Sequence, residues 1–267
     1  MSLTPQQCTF FETFGYILIP GLMTDEIDWI IEEHRKVFEK KGLVHDGSRR
    51  SQIVPFSDQS ERLCTLLDHP KVLGVLTSLL GEDFNYIGGD GNYYSGDTNW
   101  HSDGFHTVGL YAKFHLYLDP LTRGTGCIRV IPGSHLGGPW RHHSERARQP
   151  NEGFGIQGCH IPCAAIRTEP GDIVVFNHNI LHASYGGGTA RRHFCLNVSR
   201  RAKTDAEIEE LHKYIRRPDG LPRYHPRSAS VHSELMRRTA SPARMRHLEQ
   251  VIDCENQWLT KGSDPHK

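Results

Sequence analysis

The short run Trp100-His101-Ser102-Asp103 carries two side chains that could bind a metal ion together. In an extended strand, residues two apart point to the same side, so the His101 imidazole and the Asp103 carboxylate would lie next to each other. They would supply two corners of a metal polyhedron. A third ligand from elsewhere in the chain would complete one face and leave the other positions open, as in non-haem Fe(II) sites.

Taken alone, the His-x-Asp triplet is weak evidence, because a chain with 18 histidines and 31 acidic residues contains such triplets by chance. The motifs that follow it strengthen the prediction. They are Gly-Cys-Ile-Arg-Val-Ile-Pro-Gly-Ser-His at 126–135, Pro-Gly-Asp-Ile-Val-Val-Phe at 170–176, His182-Ala183-Ser184 and Arg191-Arg192. The ordered set is more specific than any single motif.

In this order the motifs resemble the phytanoyl-CoA dioxygenase family of Fe(II)- and 2-oxoglutarate-dependent oxygenases, from about residue 4 to about residue 200. The resemblance implies a mostly β fold with flanking helices, whose core is a double-stranded β-helix of the jelly-roll or cupin-like type. It also implies Fe(II) as the metal, 2-oxoglutarate as the cosubstrate and O₂ as the oxidant.

The resemblance further implies roles for individual residues. His101 and Asp103 match the family's His-x-Asp iron ligands, and His182 matches the distal histidine. His178 is the rival for the third position. His182 is favoured because a small residue and a serine follow it, and Ser184 then resembles a hydroxyl that helps to seat 2-oxoglutarate.

An arginine shortly after the distal histidine holds the far carboxylate of 2-oxoglutarate in the family, and both Arg191 and Arg192 are candidates. Neighbours on a strand face opposite sides. Arg192 shares its side with the bulky residues of 194–198, which suits an outer surface, so the alternation favours Arg191. The short loop 185–190 departs from the family pattern and leaves the choice open.

The segment 111–118, Tyr-Ala-Lys-Phe-His-Leu-Tyr-Leu, alternates between an oily face and a face that can line a polar site. Lys113, His115 and Tyr117 belong to the second face. His115 falls where family members often carry an aromatic residue beside 2-oxoglutarate, so it is predicted to contact the cosubstrate, with a buried core histidine as the alternative. Arg129 and His135 are predicted to be structural.

Two regions are predicted to line the substrate pocket. Phe105 and His106 follow the predicted iron strand, and Tyr94 lies in the irregular stretch 87–98, which is either a mobile flap or a plain loop. The insertion at 138–160, which is rich in arginine and histidine, is a second candidate lid.

The elements that must position these residues follow from the pattern of the chain. Helices are predicted from Thr4-Pro5 to Gly15, from Thr24 to Gly42 and over about 70–80, with a strand at 16–20 between the first two. Further strands are predicted at 127–131, 173–176 and 191–198. From Thr204 onward the chain is predicted to form a helix, a Pro/Arg-rich loop near 218–228 and another helix. We expect one oxygenase domain over 1–267, with N-terminal helices (1–82), a β-helix core (83–200) and a helical C-terminal tail (201–267).

Composition excludes several classes of function. Equal numbers of basic and acidic residues, 31 of each, give no electrostatic case for nucleic-acid binding. There is no run of roughly 20 apolar residues for a membrane span and no signal-peptide pattern, so the expected location is the cytoplasm.

The seven cysteines are expected to be reduced thiols. The basic tail around 200–246 is the candidate for a contact between identical subunits.

The predicted activity is that of a dioxygenase that hydroxylates a small molecule, either a secondary metabolite or a lipid-like compound, with release of succinate and CO₂. Desaturation and related oxidations use the same chemistry. The alternative is a non-catalytic, cupin-like protein that binds a metal ion or a small molecule. A zinc hydrolase is disfavoured, since the chain has neither His-Glu-x-x-His nor a nucleophile elbow.

Overall fold

The computed structural model describes residues 1–216 and 230–261. In these residues the α-helices are α1 Pro5–Phe14, α2 Ile27–Lys40, α3 Glu61–Cys64, α4 Pro70–Leu80, α5 Pro139–Ser144, α6 Pro150–Phe154, α7 Asp205–Ile215, α8 Glu234–Arg238, α9 Pro242–Met245 and α10 Glu249–Lys261. The strands are β1 Tyr16–Ile19, β2 Ser51–Ile53, β3 Asn85–Tyr86, β4 Gly91–Tyr94, β5 Thr98–His101, β6 Tyr111–Tyr117, β7 Ile128–Val130, β8 Ala164–Ala165, β9 Ile173–Asn177, β10 His182–Ser184 and β11 Arg191–Ser199.

The strands form two antiparallel sheets. The larger sheet has the order β1-β9-β6-β11-β4-β2, with β3 paired to the end of β11, and the smaller has the order β5-β10-β7-β8. Side chains of the two sheets pack into one interior cluster, in which Tyr117 and Phe176 of the larger sheet meet Ile128 and Val130 of the smaller one. The fold is therefore the double-stranded β-helix that the sequence predicts.

Strand β6 shows how the alternation of residue types builds the site. Phe114 and Leu116 are buried in the cluster that joins the outer face of the larger sheet to the N-terminal helices. Lys113, His115 and Tyr117 point to the opposite side and line an interior cavity. The predicted division of this strand into an oily and a polar face is confirmed.

Helices α1 and α4 begin and end where the sequence predicts, whereas the helix predicted from Thr24 to Gly42 consists of a 3₁₀ turn at Thr24–Glu26 and the α-helix Ile27–Lys40. The Thr4 side chain accepts a hydrogen bond from the Gln7 backbone N–H, and the Gln7 side chain accepts one from the Thr4 backbone N–H. The two bonds satisfy two amide groups at the start of α1. Gly15 ends that helix with φ +80°, a conformation that glycine adopts without steric cost. Helix α4 spans Pro70–Leu80 and stops at Gly81, as predicted.

The stretch 87–98 is not a flap. Its residues 91–94 form β4, which pairs with β2 on one side and β11 on the other, and residues 87–92 are buried. A Cβ on Gly89 would lie 2.0 Å from the Cys195 carbonyl oxygen, so the glycines here permit close packing of backbones and do not signal mobility. The N-terminal region also contributes strands β1 and β2 to the larger sheet, in addition to its helices.

The C-terminal helices pack on the chain itself. Helix α7 begins with a capping box between Thr204 and Glu207, and Leu211 and Ile215 join Val251 of α10 in a buried cluster. The predicted Pro/Arg-rich loop near 218–228 lies outside the described residues.

Two further observations concern the whole chain. No single helix among the described residues is long and apolar enough to cross a membrane; one bent pair, Glu61–Asp68 with Pro70–Leu80, has the required length and composition, and its apolar side chains lie largely in the core. All seven cysteines are free thiols.

Candidate active site

Two strands of the smaller sheet and the loop after one of them bring three potential metal ligands together. His101 ends β5 and His182 begins β10, and the two residues are direct register partners. Asp103 follows β5 by two residues. One ligand atom from each of the three lies within 4.8 Å of the others, as a single bound ion requires.

Backbone hydrogen bonds orient both imidazoles. Nδ1 of His101 lies 2.8 Å from the Asn99 carbonyl oxygen, and Nδ1 of His182 lies 3.1 Å from the Ile180 carbonyl oxygen. Because a carbonyl accepts only, each Nδ1 carries the proton and each Nε2 keeps its lone pair. Burial and the neighbouring His101 also lower the pKa of His182 to about 3, so its ring is neutral, the form that binds metals.

The third member of the cluster is a charged carboxylate beside a lysine. Asp103 Oδ2 lies 3.8 Å from His182 Nε2 and 2.8 Å from Lys113 Nζ on β6. Burial disfavours the charge on Asp103, but Lys113 and the surrounding histidines outweigh burial and hold the pKa of Asp103 well below its usual value. Two imidazoles and one carboxylate are the donor set of a facial triad, so these residues fit Fe(II).

The three residues line a cavity of about 320 Å³ between the two sheets. Residues of both sheets form its walls: Arg50, Gln52, Asp90, Tyr94, Thr98, His101, Asp103, Lys113, His115, Tyr117, Leu121, Gly126, Ile128, Phe176, His182, Ala183, Ser184, Arg191 and His193. Its size is near the lower end of ordinary ligand pockets, which suits small molecules.

Arg191 lies in this cavity and is 8% exposed. Its Nη1 donates to the Gly126 carbonyl oxygen at 2.6 Å and also to Ser184 Oγ, and its guanidinium carbon lies 5.0 Å from the centre of the Tyr94 ring. Nε of Arg191 is buried without a hydrogen-bond partner. A buried, charged donor of this kind fits a carboxylate ligand.

Arg192 points away from the cavity, as the strand alternation predicts. Its Nη2 lies 2.6 Å from Asp119 Oδ1, and its backbone N–H donates to the same carboxylate. This ion pair engages the Arg192 guanidinium outside the cavity. Arg191 and Arg192, between which the sequence left the choice open, therefore have different surroundings.

His115 lies on the cavity wall. Its Nε2 is 2.5 Å from Nδ1 of His193, its ring stacks on Tyr117, and its Nδ1 is buried without a partner. Burial and the nearby Lys113 lower the pKa of His115 to about 3, so the ring is neutral. His115 is thus a buried ring on the wall of the cavity that the three ligands also line.

The residues predicted to line a substrate pocket lie in different places. Tyr94 lines the cavity, whereas Phe105 and His106 are not among its lining residues. Phe105 is 66% exposed and lies near the guanidinium groups of Arg141 and Arg148. His106 stacks on Tyr111 and pairs with Glu210 of α7.

His178, the rival third ligand, is fully buried and does not belong to the three-residue cluster. Its ring lies within contact distance of the rings of His106 and Tyr111. Of the two histidines, His182 is the one that lies together with His101 and Asp103.

Three polar residues of the cavity have no counterpart in the sequence motifs. Asp90 precedes β4, and Arg50 and Gln52 lie beside or within β2. Arg50 Nη2 donates to Asp90 Oδ2 at 2.9 Å, and Gln52 Nε2 donates to the same atom at 3.4 Å. A stretch of glycine and tyrosine gave no sign that Asp90 would be buried. The alternation of side chains along β4 predicts the position of Asp90 on the cavity side, but only once β4 is recognised as a strand.

Comparison with known proteins agrees with this geometry. The family model described as phytanoyl-CoA dioxygenase (PhyH) matches residues 11–194, more than half of the chain. The chain belongs to this family, and it is an Fe(II)- and 2-oxoglutarate-dependent dioxygenase that uses O₂. No individual curated protein matches it significantly.

Several solved structures share the fold. HygX from Streptomyces hygroscopicus, determined with nickel and 2-oxoglutarate bound, is 16% identical with a TM-score of 0.61, covering 77% of this chain and 90% of HygX. The non-heme alpha-ketoglutarate-dependent carbocyclase SnoK from nogalamycin biosynthesis is 19% identical with a TM-score of 0.58, covering 74% and 84%. EctD from S. alaskensis is 20% identical with a TM-score of 0.59, covering 85% and 86%.

Proposed function

We propose that His101, Asp103 and His182 bind the Fe(II) of this dioxygenase, and that Arg191 and Ser184 bind the far carboxylate of 2-oxoglutarate. The observation that carries the proposal is a single cavity with the His-Asp-His cluster in one wall and, elsewhere in it, a buried arginine whose Nε has no partner. Arg192 is left out of the site because Asp119 holds it elsewhere.

Each residue has a defined task in this assignment. The imidazoles present Nε2 because their Nδ1 protons are held by backbone carbonyls, and Asp103 supplies a negative charge that partly neutralises the metal. Iron and 2-oxoglutarate, when bound, supply the oxidation that releases succinate and CO₂. His115, with its unpartnered Nδ1, is placed to donate to or accept from the cosubstrate.

We propose hydroxylation of a small polar molecule as the reaction. Asp103 supplies the carboxylate ligand of the cluster, so no position is left for a halide in its place. The cavity wall carries several charged side chains, among them Arg50, Asp90 and Lys113. Such a wall favours a polar substrate over a lipid-like one, because an apolar ligand would bury these charges without compensation.

Anaerobic titration of the protein with Fe(II) and 2-oxoglutarate tests the assignment. We expect the weak visible charge-transfer band of an Fe(II)–2-oxoglutarate complex, and we expect His182→Ala to abolish it. His160→Ala, which removes an exposed histidine, is the matched control and should keep the band. Retention of the band in His182→Ala, or its absence from the intact protein, would show the assignment to be wrong.

Two further proposals concern the setting of the enzyme. We propose the cytoplasm as its location, because seven free thiols suit a reducing compartment. A contact between identical subunits through the C-terminal helices stays a hypothesis. The apolar faces of α7 and α10 pack on the chain itself, so such a contact would use their polar faces. Light scattering across a range of salt concentrations tests it.

A further inference from the structure

Lys113 is a cation on the cavity wall, directly beside the metal cluster. It lies on the polar face of β6, with its side chain 13% exposed, and its Nζ is 2.8 Å from Asp103 Oδ2 and 4.0 Å from Asp90 Oδ1. An ammonium group has three N–H donors. The described residues place one acceptor, Asp103, within hydrogen-bonding distance of them, so further donors remain for a ligand in the cavity.

Asp90 cannot take up those donors. Its Oδ2 accepts from Arg50 at 2.9 Å and from Asn92 at 2.6 Å, and its Oδ1 lies 3.0 Å from the Cys195 thiol. These contacts hold the Asp90 carboxylate 4.0 Å away from Lys113 Nζ. Asp90 therefore favours the charged form of Lys113 without accepting a hydrogen bond from it.

Counting formal charges points to the missing partner. With Fe(II) and 2-oxoglutarate bound, the ion and the two carboxylates of the cosubstrate cancel. The cationic side chains Arg50, Lys113 and Arg191 then outnumber the carboxylates Asp90 and Asp103, which leaves one positive charge in a largely buried cavity. An uncompensated positive charge in such a cavity is costly, so the substrate is expected to bring one negative charge.

We propose that Lys113 anchors a carboxylate of the substrate, and that the enzyme acts on a small carboxylic acid whose neighbouring carbon is presented to the iron. This inference rests on the proposed function. Lys113 is the chosen anchor because its contact with Asp103 places it directly beside the metal cluster, whereas Arg50 lies farther out with its side chain 35% exposed. The cavity of about 320 Å³ must also hold the cosubstrate, so the acid is small.

Ligand-observed NMR on the intact protein tests the inference with matched pairs of probes. The protein is loaded with Zn(II) and 2-oxoglutarate, and hexanoate, 3-phenylpropionate and N-acetylproline are compared with their primary amides, which have nearly the same shape but no charge. We expect the acids to bind at least about tenfold more tightly than the amides, as a charge-assisted hydrogen bond predicts. Equal binding of acids and amides, or no binding of any acid, would overturn the inference.

Two variants show whether Lys113 is the cause. Lys113→Met keeps a long, unbranched side chain and removes the charge, so it should abolish the preference for acids, and Lys113→Arg should retain part of it. A preference for acids that survives in Lys113→Met would overturn the inference.

The charge-transfer titration of the same variants separates this inference from the proposed function. If Lys113 serves the substrate, Lys113→Met should still form the Fe(II)–2-oxoglutarate band, with a half-saturating concentration of 2-oxoglutarate close to that of the unaltered protein. A tenfold or greater rise would assign Lys113 to the cosubstrate and overturn the inference. Failure of the unaltered protein to form the band would overturn the proposed function itself.

Discussion

At the scale of single residues, neighbours in sequence have very different surroundings. Arg191 and Arg192 are adjacent on β11, yet one lies in the cavity beside Ser184 and the other is paired with Asp119 outside it. The alternation of a strand produces this separation, since successive side chains point to opposite faces of the sheet. A pair of identical residues is therefore a natural matched experiment.

We expect Arg191→Gln to raise the 2-oxoglutarate concentration for half-saturation about tenfold to a hundredfold, because it removes charge-assisted hydrogen bonds worth roughly 1.5–3 kcal/mol. Arg192→Gln should leave this concentration nearly unchanged. The charge-transfer titration measures both. Similar, mild effects of the two substitutions would contradict the assignment of Arg191.

At the scale of secondary-structure elements, the loop before β7 shapes the arginine site. Gly126 has φ +88°, and a Cβ there would lie 2.7 Å from Arg191 Nη1. The same residue accepts from Arg191 through its carbonyl oxygen. Gly126 therefore leaves space for the Arg191 guanidinium because it lacks a Cβ, and it binds the same group through its carbonyl oxygen.

Gly126→Ala is accordingly expected to displace Arg191 and to weaken 2-oxoglutarate binding by about tenfold or more, with an added loss of stability from the strained backbone conformation. Gly124→Ala is the control, since a Cβ on Gly124 would meet nothing within 4 Å. Calorimetric titration with 2-oxoglutarate and Mn(II) checks both. Equal affinities of the two variants would show that the position of Arg191 does not depend on Gly126.

The packing of β6 makes a prediction about stability. Phe114 is fully buried between the larger sheet and the N-terminal helices. We expect Phe114→Ala to lower the free energy of unfolding by about 3–5 kcal/mol, through lost burial and a cavity. Phe105→Ala should cost far less, because Phe105 is 66% exposed. Urea denaturation compares the two variants, and equal losses would contradict this account of the core.

The elements also show what could be predicted from the sequence and why. Local signals were sufficient for α1, α4 and β6, because caps, glycine stops and strict alternation act within a few residues. The three clustered ligands came from motifs that match a known family. Strand β4 was missed because its glycines resemble those of a flexible loop, whereas here they allow a buried strand to approach β11 closely.

Asp90 and Arg50 were missed for a related reason. They lie 40 residues apart in the chain and form an ion pair at 2.9 Å once β2 is added to the edge of the larger sheet beside β4. No motif encodes that pairing of strands. The tertiary arrangement, and with it most of the charge in the cavity, therefore became visible only in the structure.

At the scale of the whole molecule, one buried carboxylate links the N-terminal and C-terminal regions. Asp58 is 1% exposed, accepts from the Tyr86 hydroxyl at 2.9 Å and accepts from the Ser233 backbone N–H at 2.9 Å. Burial raises the pKa of Asp58 to about 6 despite these hydrogen bonds. In the unfolded chain the pKa returns to its ordinary value near 3.8. Between pH 3.8 and about pH 6, the folded protein therefore binds a proton at Asp58 more readily than the unfolded chain does.

Stability should consequently fall as the pH rises through the interval. Below the unfolded value both states are protonated and Asp58 carries no penalty, whereas above about pH 6 the folded state must bury the charge. The shift corresponds to at most about 3 kcal/mol. In Asp58→Asn this decline is absent, so the variant should gain stability relative to the unaltered protein between about pH 4 and about pH 7.

Urea denaturation at a series of pH values measures this difference directly. Other carboxylates titrate in the same range, so the informative quantity is the difference between the two proteins at each pH, not either curve alone. Asp28→Asn, at an exposed position of α2, controls for the general effect of removing one negative charge. Curves for Asp58→Asn and the unaltered protein that run parallel across the interval would show that Asp58 is already ionised at low pH in the folded state, with its hydrogen bonds to Tyr86 and Ser233 outweighing its burial.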